Sequence, residues 1–167
     1  MKTKRQKELI DAFLVGLGSE AGVYLEIIMY LSEMGYNPKK EGQRISFKHD
    51  RHNKQIAKIG MTRGKNPSPV FMLRFSACKG YSQRFADIVK DAAASYTGRN
   101  CLFDGCGFCA GEPSTHVYTY TMPDGKDIYH CGAYALEIPR LSADDVPEIK
   151  ALLDEEHGYL MEYEAVT

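Results

Sequence analysis

Four of the five cysteines lie in one stretch and its sequel: Cys101, Cys106 and Cys109, then Cys131 after 21 intervening residues. Cys106-Gly-Phe-Cys109 is a C-x-x-C knuckle, a spacing that points two sulfurs at one ion. Gly105 and Gly107 flank Cys106 and allow the tight backbone such a knuckle needs. With Cys101 and Cys131 the donor set is four thiolates, the closed tetrahedral shell of structural Zn²⁺. A closed shell leaves no position for water or substrate, so the expected role is to fold the chain rather than to catalyse.

Other chemistries use similar spacings. C-x4-C-x2-C with a distant fourth cysteine is also the plant-type ferredoxin pattern, which would hold a [2Fe–2S] cluster. Here the last gap is short for that fold, and the segment before Cys101 reads as a helix. Disulfides would need an oxidising compartment. The N-terminal Met-Lys-Thr-Lys-Arg-Gln-Lys has no apolar region after its charges, so the expected location is cytoplasmic. A redox dithiol would want a βαβ setting, which is missing. His116 and His130 are expected in the second shell, with His116 also able to replace Cys101. His130 adjoins Cys131 and would face the other side of a strand. An open-site zinc enzyme would have Asp104, Glu112, His116 and His130 as its local acids and bases. No H-E-x-x-H, P-loop, G-x-S-x-G or zinc-deaminase motif accompanies them. No catalytic residue is assigned, and the expectation leans away from an enzyme.

The knuckle needs a frame. Residues 115–122 and 126–131 alternate around Pro123-Asp124-Gly125, which predicts a hairpin that returns Cys131 beside Cys109. A helix over 81–96, capped by Ser82 and carrying Phe85, Ile88, Val89 and Ala92, delivers the chain to Cys101. Cys78, just before it, reads as a small buried hydrophobe. Tyr118, Tyr120, Tyr129 and Tyr134 could line a cleft beside the metal or simply alternate between core and surface.

Upstream, apolar spacing predicts amphipathic helices over 4–17 and 20–34, with Ser19 capping the second. Gly35 ends that helix and Pro38 prevents its resumption. The period then becomes two, giving strands over 45–49, 57–61 and 70–75. Ile45, Phe47, Ala57, Ile59, Phe71, Leu73 and Phe75 form the expected core face. Ser46, Lys48, Ile56, Lys58, Met72 and Arg74 form the other. Lys48, Lys58 and Arg74 would then lie near one another across strands, as a ligand or anion face or as a solvated one. Downstream, 132–138 reads as a strand. Ser142 caps a helix with Val146, Ile149, Leu152 and Leu153 inside and Asp154, Glu155 and Glu156 outside, ended by Gly158.

The 167 residues fit one domain with ordinary composition, 44% hydrophobic and 26% charged. No apolar run approaches the roughly 18 residues of a membrane span. Charge is asymmetric: residues 1–100 carry 18 Lys and Arg against 9 Asp and Glu, and residues 101–167 carry 3 against 13. Such halves either pack on each other or leave a basic face for nucleic acid. The first is favoured, because the basic residues are spread over several elements and no aromatic side chain projects among them to stack a base.

The expected fold class is α+β. Residues 1–100 form a basic helix and sheet part, 101–133 a metal-binding insertion, and 134–167 a terminal strand and helix. The order of elements over 45–75, 81–96 and 134–153 resembles the YdhG-like group of small bacterial α+β domains, with the four cysteines as an addition. That resemblance implies a soluble domain of unassigned activity and assigns no residue a role. The expected partners are a small molecule or a protein, with nucleic acid less favoured.

Overall fold

Two rows of apolar side chains cross one face of an antiparallel sheet and define its centre. The strands are β1 (Tyr36–Glu41), β2 (Arg44–His49), β3 (Gln55–Met61), β4 (Pro69–Leu73) and, from late in the chain, β7 (Leu136–Ile138), in the spatial order β1-β2-β3-β4-β7. One row is Ile45, Ile59, Phe71 and Ile138, and the other is Phe47, Ala57, Leu73 and Leu136, each paired with the next in register. All eight are buried. Burying each such Ile, Leu or Phe is worth about 1.5–3 kcal/mol, so this sheet has a core independent of any metal. A second sheet contains β5 (Val117–Thr121) and β6 (Asp127–Cys131), also antiparallel. The computed structural model describes residues 1–62, 64–75, 78, 80–95, 117–121, 125, 127–131 and 135–164.

Among the described residues, four α-helices complete an α+β fold: α1 (Lys4–Val15), α2 (Ala21–Glu33), α3 (Gln83–Ser95) and α4 (Val146–Glu164). Thr3 and Gln6 cap α1 reciprocally. Thr3 Oγ1 accepts from Gln6 N at 3.2 Å, and Gln6 Oε1 accepts from Thr3 N at 3.1 Å. Tyr24, Ile27, Ile28 and Leu31 of α2, Phe85 and Val89 of α3, and Ile149, Leu152, Leu153 and Leu160 of α4 share the core with the sheet. The Phe13 ring meets Tyr24 edge-on at 5.6 Å and pins the α1–α2 corner. Among the described residues, no helix is long and apolar enough to cross a membrane.

Several boundaries differ from the sequence expectation. The segment after Gly35 is strand β1, despite Pro38. As β1 is an edge strand, a missing N–H need not break a ladder there. Helix α2 begins after a 3₁₀ turn, Gly18–Glu20, so Ser19 lies inside that turn rather than capping the helix. Gly158 does not end α4, which continues to Glu164 with Leu160 fully buried against the core. Ser82 does cap α3, its Oγ accepting from Phe85 N at 3.4 Å.

The unequal halves pack on each other. Arg44, Arg74 and Arg84 of the basic half pair with Glu137, Glu156 and Asp145 of the acidic half at 3.0, 3.0 and 2.6 Å.

Candidate functional site

Of the expected metal ligands, Cys101, Cys106 and Cys109 lie outside the described residues, as do His116, Asp104, Glu112 and Tyr134. Cys131 is the last residue of β6 and pairs with Val117, and His130 pairs with Tyr118. The hairpin therefore returns Cys131 to a point eight residues downstream of Cys109 along the chain. Five residues, 122–126, separate the paired Thr121 and Asp127, and Gly125 adopts a left-handed φ of 82° in that connection. Among the described residues, no three His, Cys, Asp or Glu side chains are grouped to hold a metal ion. Cys78 is buried, with its Sγ 3.5 Å from the Leu152 carbonyl. Burial, followed by the charges of Glu156 and Glu155, pushes its thiol pKa up, which makes it an inert core residue.

The expected basic face splits in two. Lys48 and Lys58 both reach Glu41 on β1, at 2.7 and 3.5 Å. Burial raises the Glu41 pKa, but Lys48, Lys58 and Ser46 outweigh it and hold the carboxyl below its usual value. Arg74 lies elsewhere, 3.0 Å from Glu156. The alternation breaks at a bulge where Phe47 pairs with Ala57 and Lys48 with Gln55, leaving Ile56 as the extra residue. Ile56 joins the main core with Ala57, contrary to the expected outer position. Arg74, just beyond the last paired residue of β4, donates its N–H to Ile56 O at 2.8 Å, and its side chain meets α4. Glu156, expected on the solvated side of α4, is fully buried in the stripe with Leu152, Leu153 and Leu160.

A constellation that sequence reasoning missed lies at the tip of the β2–β3 hairpin. The rings of His49 and His52 stack at 4.3 Å between centroids, 18° from parallel. His157 of α4 lies 5.7 Å from His49. Tyr36 of β1 touches all three, at 4.9, 6.1 and 5.6 Å from His49, His52 and His157. Its buried hydroxyl is 3.1 Å from His157 Nδ1. Gly35 makes room: a Cβ there would sit 3.0 Å from His49 Nε2, and its φ of 89° suits glycine alone. The sequence held two signals for this site. One was His49-x-x-His52 across a turn. The other was Glu156-His157, where a charge sits in register with an apolar stripe.

The chain matches no protein-family model, no curated protein and no solved structure in the comparisons made.

Proposed function

We propose that this protein is a metal-stabilised binding module in which Cys101, Cys106, Cys109 and Cys131 hold one Zn²⁺. The observation that carries the reading is the antiparallel register of β5 with β6. It shortens the path from Cys109 to Cys131 from 22 residues along the chain to eight residues and one strand crossing. Paired Cα atoms are about 4.5–5.5 Å apart, which supports Cys131 belonging to the same site as the knuckle. Four thiolates are the donor set of a closed zinc site, whose contribution is folding free energy. The role left to the rest of the molecule is to bind a small ligand or a protein. The ion pairs between the halves favour this over nucleic acid, because they engage three arginines of the basic half.

The test is metal analysis and a visible spectrum of protein purified without added metal. One zinc per chain and no colour is expected, together with loss of zinc in Cys131→Ser. Brown protein carrying iron and sulfide would replace the zinc reading with the [2Fe–2S] one. Metal-free folded protein, or a Cys131→Ser variant with unchanged metal content, would overturn the four-cysteine site.

A further inference from the structure

We draw no further inference here: the strongest candidate, the exposed apolar stripe that Leu25 and Met29 form one turn apart on α2, carries nothing because nothing among the described residues shows what would cover it.

Discussion

Arg74 and Glu156 meet at 3.0 Å and join the residue after β4 to the buried stripe of α4. Burial pulls the Arg74 pKa down, and Glu156, followed by Tyr159 and Tyr36, holds it up. Removing one member leaves an uncompensated buried charge, which typically costs about 3–5 kcal/mol. Replacing both with apolar residues removes that penalty. Arg74→Met and Glu156→Leu are each expected to lower the urea midpoint sharply, and the double variant to recover most of the loss. Single losses that simply add would show that the pair is not coupled.

Asp145 caps the start of the C-terminal helical segment. Its carboxylate accepts from Ser142 N at 2.8 Å and Ser142 Oγ at 3.0 Å, and from Arg84 Nε at 2.6 Å. Burial raises its pKa, but Arg84 and Ser142 outweigh this, so the carboxyl is held below its ordinary value. A depressed carboxyl stabilises above its unfolded pKa of about 3.9 and loses that contribution as pH falls through the folded value. Asp145→Asn should cost about 1–2 kcal/mol at pH 7 and flatten the loss of stability below about pH 4. Urea midpoints from pH 2 to 7 measure both. An unchanged acid limb would remove Asp145 from it.

Tyr24 and Tyr36 are both buried, yet their hydroxyls differ. Tyr36 has His157, whereas Tyr24 Oη has no hydrogen-bond partner among the described residues. An unsatisfied buried hydroxyl costs stability, while a satisfied one contributes about 1 kcal/mol. Tyr24→Phe should therefore leave the melting temperature unchanged or raise it. Tyr36→Phe should lower stability by about 1 kcal/mol. Equal losses in calorimetry would show that Tyr24 is hydrogen-bonded in solution.

Removal of the proposed Zn²⁺ should act locally. The five-stranded sheet carries its own apolar rows, and β5–β6 is a separate two-stranded sheet, a unit that is marginal alone in water. After chelation, amides in 117–121 and 127–131 are expected to lose hydrogen-exchange protection. Those of β2, β3 and β4 should retain it. Equal loss across both sheets would mean that the metal supports the whole fold.

Periodicity carried much of the fold by itself. The spacing of two in 45–49, 57–61 and 70–75 set the core face, because on a regular strand residue parity alone decides the side. The β5–β6 hairpin was legible from alternation around Pro123-Asp124-Gly125, and Ser82 from its place before an apolar period. Strand β1 was hidden because Pro38 argues against a strand unless its neighbours are known, and edge position is a property of the sheet.

What the sequence alone determined is the α+β class, the core face of the central strands and the cysteine set that defines the proposed metal chemistry. These are read from composition, period and spacing within short windows. The tertiary structure decided that Lys48 and Lys58 meet Glu41 while Arg74 turns to Glu156, and that His157 joins His49 and His52 across more than 100 residues. The physical reason is that a bulge resets which face a side chain takes, and helix docking chooses partners distant in the chain. Neither leaves a periodic signal in the local sequence.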